Sequence, residues 1–163
     1  MKLSKNLAET ISDQICFEQY SAQIYLAMSL DLQEKGLPGM ASWYWEQHKE
    51  ELDHAYEMIH YLQSRGVKPT IKSFDKVKVN FKDALEIFTI SLKHEQEVSA
   101  RIHNIVKITI EESDYGAENF FRKYITEQEE EESKFEDIIN SVKVADTNSM
   151  IYVDRMLGNS IKK

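Results

Sequence analysis

The chain has 163 residues, a length that suits a single domain over residues 1–163. Its composition, 42% hydrophobic and 29% charged, is typical of a soluble protein with a sizeable core. The formal net charge of −8 argues against a nucleic-acid partner and fits a surface that attracts cations.

Nothing in the sequence directs the chain out of the cytoplasm. The one cysteine, Cys16, excludes a disulfide within these residues and a cysteine-based metal site, and we interpret it as a small buried hydrophobic residue. The first residues lack the apolar segment of a signal peptide, and no run of about 18 apolar residues could cross a membrane. We therefore predict a cytoplasmic protein with no membrane partner.

Turn-forming residues divide the sequence into four long helices and a short fifth helix. The predicted helices cover residues 4–34, 38–65, 81–112, 117–144 and 148–158, approximately. Pro38 suits the first turn of the second helix, Gly66 suits its end, and Asn80 can cap the third.

The connections predict how these helices pack. Helices of roughly 28 residues are about 42 Å long, and short turns make the first pair and the last pair antiparallel hairpins. The connection at 67–79 could extend over about 43 Å, enough to cross the length of a bundle. The sequence therefore predicts an all-α four-helix bundle with one long crossover connection, in which the second and third helices run parallel.

Ionisable residues interrupt the apolar stripe of each long helix near its middle. Steps of three and four residues place five of them at core positions: Glu18, Glu51, His54, Glu95 and Glu131. Each unpaired buried charge costs several kcal/mol, and no Lys or Arg falls on these stripes. Taken singly, each Glu also fits a solvated helix face. Five at matched levels favour a shared metal ion.

The spacing of these residues repeats. Glu18 and Glu51 are 33 residues apart, as are Glu95 and Gln128, and each half adds a polar residue three positions on, His54 or Glu131. Two such halves predict a dinuclear carboxylate site between the helices. Oxygen ligands with one imidazole suit iron or manganese and accept zinc less selectively, and His54 is expected to bind as the neutral imidazole.

Four segments at these positions resemble the bacterial non-haem ferritins, which belong to the ferritin-like di-iron carboxylate family. The segments are FEQYSAQIY around Glu18, KEELDHA around Glu51, KHEQ at 93–96 and ITEQEEEE at 125–132. The resemblance runs from residue 5 to about 155. It implies a homo-oligomeric shell of 24 subunits that oxidises Fe²⁺ with O₂ or H₂O₂, a ferroxidase activity, and stores ferric oxyhydroxide mineral inside.

The resemblance also implies a role for each core residue. Glu18, Glu51 and His54 resemble the ligands of the first iron site. Glu51, Glu95 and Glu131 resemble those of the second, with Glu51 bridging the two ions.

Further residues carry implied roles around these two sites. Gln128 resembles the polar residue that holds the site's hydrogen bonds, and Tyr25 resembles a tyrosine placed to supply an electron or stabilise an intermediate. A third iron site is implied at Glu50, Glu127 and Glu130, with Glu131 within reach. Acidic runs also fit a solvated face, and Tyr25 also fits a core aromatic.

The sequence departs from family patterns at three positions. Leu52 replaces the Met of haem-binding relatives, so no haem is expected, and those relatives have a His in place of Glu131. Lys123 replaces a Trp found in many non-haem relatives. Four histidines fall off the core stripes and are predicted to lie at the surface or at an interface: His48, His60, His94 and His103.

Three other functions compete with iron storage. A peroxide-reducing rubrerythrin would usually carry a four-cysteine domain, which a single Cys16 excludes. A DNA-protecting miniature ferritin places its iron site between subunits, whereas this chain carries a complete ligand set. A structural bundle without metal would lose nothing on chelation.

Overall fold

A computed structural model describes residues 2–161 as five α-helices, and this range contains no β-strand. The helices are α1 (Lys5–Glu34), α2 (Pro38–Ser64), α3 (Ala84–Glu111), α4 (Tyr115–Val144) and α5 (Met150–Ser160). The predicted all-α bundle with a short C-terminal helix is confirmed. Met1, Lys162 and Lys163 of the predicted domain lie outside the described residues.

The capping residues decide where the helices of the second hairpin begin. The Asp83 side chain accepts a hydrogen bond from the backbone N–H of Glu86 at 2.9 Å, so α3 begins later than the predicted cap at Asn80 would place it. Asp114 caps α4 by accepting from the N–H of Ala117 at 3.0 Å. Because Asp114 is the cap, α4 begins at Tyr115, two residues before the predicted start at 117.

An ion pair fixes the direction of the helices. Arg65 at the end of α2 donates two hydrogen bonds to Asp114 at the start of α4, with Nη1–Oδ1 3.1 Å and Nη2–Oδ2 2.7 Å. α2 is therefore antiparallel to α4, which a short turn makes antiparallel to α3. The parallel arrangement of α2 and α3 and the crossover connection between them follow, as predicted.

The C-terminal helix completes the start of α2. Leu37 at the N-cap of α2 makes no side-chain hydrogen bond. Instead, the buried carboxylate of Asp154 on α5 accepts from the N–H groups of Gly39 (3.0 Å) and Met40 (2.8 Å). The two helices approach so closely that a Cβ added to Gly158 would lie 2.8 Å from the Cα of Gly39. Glycine at both positions allows this contact.

The core consists of two hydrophobic clusters. One cluster includes Met28, Leu32, Phe88, Phe135 and Ile138, and the other includes Ile11, Ile15, Met58, Ile102 and Phe121. Along α1, α2, α3 and α4, buried polar residues lie between the members of the two clusters: Glu18, Glu51, Glu95 and Gln128. The bundle therefore holds a polar layer between two apolar halves. Among the described residues, no helix combines the length and apolar character needed to cross a bilayer.

Candidate metal centre

Three predicted ligands meet in the polar layer. Glu18 on α1 and Glu51 and His54 on α2 each offer one ligand atom, and these atoms lie within 4.8 Å of one another. The two carboxylates are buried, and His54 is half-buried. Because Glu51 and His54 are three residues apart on α2, one face of the helix presents both to α1. Two carboxylates and an imidazole form a donor set suited to a divalent transition metal.

The Glu18 carboxylate is held on one side only. Gln14, one helical turn earlier on α1, donates from Nε2 to Glu18 Oε1 at 2.8 Å. The other oxygen, Glu18 Oε2, is buried and has no hydrogen-bond partner in the described part of the chain. A buried carboxylate oxygen without a donor is costly, and a bound cation would satisfy it.

His54 lies between two carboxylates. Its Nδ1 is 3.5 Å from Glu51 Oε2, and its Nε2 is 3.4 Å from Glu127 Oε2 on α4. Burial alone would lower the pKa of His54, but the hydrogen bonds with Glu127 and Glu51 and the charges of Glu51 and Glu18 raise it to about 11. The neighbouring carboxylates therefore favour the protonated imidazole. An ion that binds Nδ1 must displace that proton, which leaves the neutral ligand expected from the sequence.

Glu95 on α3 occupies the same layer with different partners. The Tyr25 hydroxyl on α1 donates to Glu95 Oε1, and Gln128 on α4 donates from Nε2 to Glu95 Oε2 at 2.8 Å. Both carboxylate oxygens are thus occupied by protein donors. Among the described residues, Glu95 does not join the group of Glu18, Glu51 and His54.

Glu131 on α4 is paired with a lysine. Its Oε1 lies 2.6 Å from the Nζ of Lys134, one helical turn further along α4. Its Oε2 is buried and unpartnered, like that of Glu18. Lys134 does not fall on the core stripe, in line with the sequence, but it still pairs with Glu131 because a long side chain at i+3 reaches back over one turn.

Burial shifts the acidity of the carboxyl groups. It raises the pKa of Glu18 well above its ordinary value, and the charge of Glu51 raises it further. Burial, then the charge of Glu95, raises the pKa of Glu51. Burial raises the pKa of Glu95 to about 7, although hydrogen bonds from Tyr25 and Gln128 oppose the rise. Burial therefore favours the neutral form of these carboxyl groups, and a cation in the layer favours their charged form.

The residues predicted for a third iron site lie beside this layer without forming a cluster of their own. Within residues 2–161, the metal-ligating geometry found is that of Glu18, Glu51 and His54 alone. Glu50 is exposed and accepts a hydrogen bond from Gln47 at 2.8 Å. Glu127 contacts His54, and Glu130 is exposed.

The prediction that His94 lies at the surface or at an interface was wrong, because the ring is buried within the chain. His94 is buried; its ring stacks on Phe17 with 4.8 Å between ring centroids, and its Nε2 lies 2.6 Å from Ser21 Oγ. Burial lowers its pKa to about 4, so the ring is neutral at physiological pH. Phe17 and Ser21, four residues apart on α1, cover the ring. An apolar residue and a small residue at this spacing are the sequence signal that could have indicated a buried partner.

Two further side chains differ from expectation. Cys16 is half-buried, with its Sγ 3.5 Å from the carbonyl oxygen of Ser73 in the crossover connection. Gln14, which holds Glu18, was missed altogether. Its position, four residues before a core carboxylate, is the sequence signal for such a contact.

Residues 8–145 match the family model described as a ferritin-like domain. A bacterial non-heme ferritin from Staphylococcus aureus is 34% identical over 152 residues, which is 93% of this chain and 92% of that protein. A bacterial non-heme ferritin from Bacteroides fragilis is 32% identical over 156 residues, 96% of this chain and 98% of that protein.

Solved structures show the same likeness. An open-pore ferritin from the archaeon Archaeoglobus fulgidus superposes with a TM-score of 0.93 at 30% identity, covering 96% of this chain and 98% of that one. A humanized archaeal ferritin superposes with a TM-score of 0.94 at 31% identity over the same shares. At these identities the likeness extends to sequence as well as fold.

Proposed function

The chain belongs to the ferritin family, and from this premise we propose that it stores iron, oxidising Fe²⁺ at a dinuclear centre within each subunit. In this proposal the subunits form a shell of 24 that holds the ferric oxyhydroxide mineral in the cytoplasm. The observation that carries it is the group of Glu18, Glu51 and His54, whose ligand atoms lie within 4.8 Å of one another inside the bundle.

Iron enters this proposal as a substrate. Glu18, Glu51 and His54 bind the first ferrous ion, and Glu51 bridges to a second ion bound by Glu95 and Glu131. Gln14 keeps Glu18 oriented, since a donor on one oxygen leaves the other free for metal. Gln128 and Tyr25 hold Glu95 until the second ion arrives.

The chemistry follows from two ferrous ions held together. Each gives up one electron, so that two Fe²⁺, O₂ and two protons yield two Fe³⁺ and H₂O₂. With H₂O₂ as oxidant, two Fe²⁺, H₂O₂ and two protons yield two Fe³⁺ and two H₂O. The negative carboxylates favour the higher charge of the ferric product. Both equations balance with the electrons of the two ferrous ions, so the role of Tyr25 in this scheme is to hold Glu95 through the hydrogen bond from its hydroxyl.

The proposed third site is supported by the resemblance to bacterial non-haem ferritins more than by the distances between its residues. Glu50, Glu127 and Glu130 would take iron leaving the dinuclear centre on its way to the mineral. Glu127 already contacts His54, which supports a route from the first site to this acidic surface.

Stopped-flow absorbance tests the proposal most directly. Two Fe²⁺ per chain are added to aerobic, metal-free protein, and ferric absorbance is followed in the wild type, His54→Ala and His60→Ala. The wild type is expected to give a rapid ferric transient, which His54→Ala slows by about 100-fold or more because a ligand is lost. His60 is an exposed histidine of the same helix, so its variant should match the wild type. Equal, slow traces in the wild type and His54→Ala would overturn the proposal.

A further inference from the structure

One lysine lies against the half of the centre proposed to hold the second ion. The Lys134 ammonium is 2.6 Å from Glu131 Oε1 and 5.3 Å from the centroid of the Trp43 ring on α2. The Lys134 side chain is 36% exposed and that of Glu131 is 21% exposed. Solvent screens a pair so placed less than one at the open surface.

The pairing divides the Glu131 carboxylate between two environments. Oε1 contacts the ammonium, whereas Oε2 is buried and has no hydrogen-bond partner among the described residues. A metal ion would approach the unpartnered oxygen, and the ammonium would then be a second positive charge on the same carboxylate. Like charges at that distance repel, so metal and lysine cannot both bind Glu131 at full strength.

When the ion pair with Glu131 breaks, other groups can receive the Lys134 ammonium. It lines a cavity of about 660 Å³ between α4 and α5, together with Glu130, Asp137 and Trp43. The Trp43 ring face attracts an ammonium group, and the carboxylates of the cavity wall offer it counter-charges. Lys134 therefore keeps favourable contacts after it leaves Glu131, and its movement from Glu131 to the cavity has a low energetic cost.

We propose that Lys134 competes with the second metal ion for Glu131 and sets how tightly that ion is held. This inference rests on the proposed function of the centre. The lysine acts as an internal counter-ion that occupies Glu131 before iron arrives and returns to it when iron leaves. It weakens the second position relative to the first, which makes the second ion the one that exchanges readily.

A metal titration tests this role without relying on turnover. Co²⁺, which O₂ does not oxidise on this timescale, is added to metal-free wild type and to Lys134→Gln, and binding is followed by calorimetry and visible absorbance. The first ion should bind equally to both proteins. The second should bind roughly five- to tenfold tighter to Lys134→Gln, since a partly buried pair no longer competes.

The chain supplies a matched control. Lys123 on the same helix pairs with Glu57 at 2.6 Å with a similar exposure of 42%, and Glu57 is not a proposed ligand. Lys123→Gln should therefore leave both affinities unchanged. Lys134→Arg keeps the charge and should restore wild-type affinity for the second ion.

The outcomes separate the two proposals. An unchanged second affinity in Lys134→Gln, or an equal gain in Lys123→Gln, would overturn the competition and leave Lys134 as an ordinary surface ion pair. Failure of the wild type to bind even one Co²⁺ would instead count against the metal centre itself.

Discussion

The half of the centre on α1 and α2 places three ligand atoms within 4.8 Å, whereas the half on α3 and α4 holds its two carboxylates with protein donors. Both halves use a glutamine at 2.8 Å to orient a glutamate, Gln14 for Glu18 and Gln128 for Glu95. The halves differ at the other oxygen of each of these two carboxylates, the one that the glutamine does not contact. Glu18 has one free, while both oxygens of Glu95 are occupied.

The comparison shows that similar residues can differ in how many of their ligand oxygens are free to bind a metal ion. An ion entering the first half takes the place of protons in the cluster, among them that of His54. An ion entering the second half also meets the Tyr25 hydroxyl on Glu95 and the Lys134 ammonium beside Glu131, and both weaken its binding. The first position should therefore fill before the second.

Removal of one ligand from each half gives the largest expected effects. Glu18→Gln should weaken binding of the first Co²⁺ by more than about 100-fold, because a charged ligand is lost from the half that is already assembled. Glu95→Gln should leave the first ion near wild-type affinity and abolish the second. Calorimetric titration measures both steps. Loss of both ions in Glu95→Gln would mean that the halves form one indivisible site.

The pH dependence of stability without metal sharpens the comparison. The pKa of Glu95 is raised to about 7 from an ordinary value near 4.5, so the folded state holds a proton that the unfolded state releases. Stability from this group is complete below pH 4.5 and is lost as the pH rises through 7. Glu95→Gln should therefore gain, relative to wild type, on the order of 3 kcal/mol between these limits. Thermal unfolding in EDTA at a series of pH values measures the difference.

Glu57 provides a control for that measurement, because its pKa is shifted in the opposite direction to that of Glu95. Burial would raise the pKa of Glu57, but hydrogen bonds from Lys123 and Tyr124 lower it, so the charged form contributes stability above its ordinary pKa. Glu57→Gln should lose stability relative to wild type as the pH rises through that range. A gain in both variants would indicate a general effect of net charge.

The smallest expected effects come from the two glutamines. Gln14→Leu should weaken the first Co²⁺ by about tenfold, and Gln128→Leu should act by a similar factor on the second, because each removes the donor that orients one carboxylate. The two effects should stay on separate binding steps in calorimetry. A Gln14→Leu variant with an unchanged first step would show that packing alone orients Glu18.

Periodicity was enough to predict the long helices and the level of the polar layer, because these depend on which face of each helix is apolar. The crossover was predicted from the length of the connection at 67–79. Glu18, Glu51 and His54 could be grouped in advance, since two lie on one helix face and the repeat points to the third. The same pattern could not show that Lys134 reaches Glu131, because the reach of a flexible side chain leaves no period in a sequence.

Other features depend on contacts between distant segments. His94 fell off the stripe of its own helix, yet Phe17 and Ser21 on α1 cover it. The cap of α2 comes from Asp154, more than a hundred residues away in the chain. A local rule assigns caps to neighbouring residues and therefore misses this one.

The polar layer between the two apolar clusters also bears on how such a protein changes over generations. Replacing Glu18, Glu51 or Glu95 with an apolar residue of similar size would remove a buried carboxyl and join the two clusters into one core, a change that is often neutral or stabilising. Selection for folding alone would thus erode the layer. Copies of this gene that lost the need to bind metal should drift toward more robust, inert bundles, so the carboxylates persist only while their chemistry is under selection.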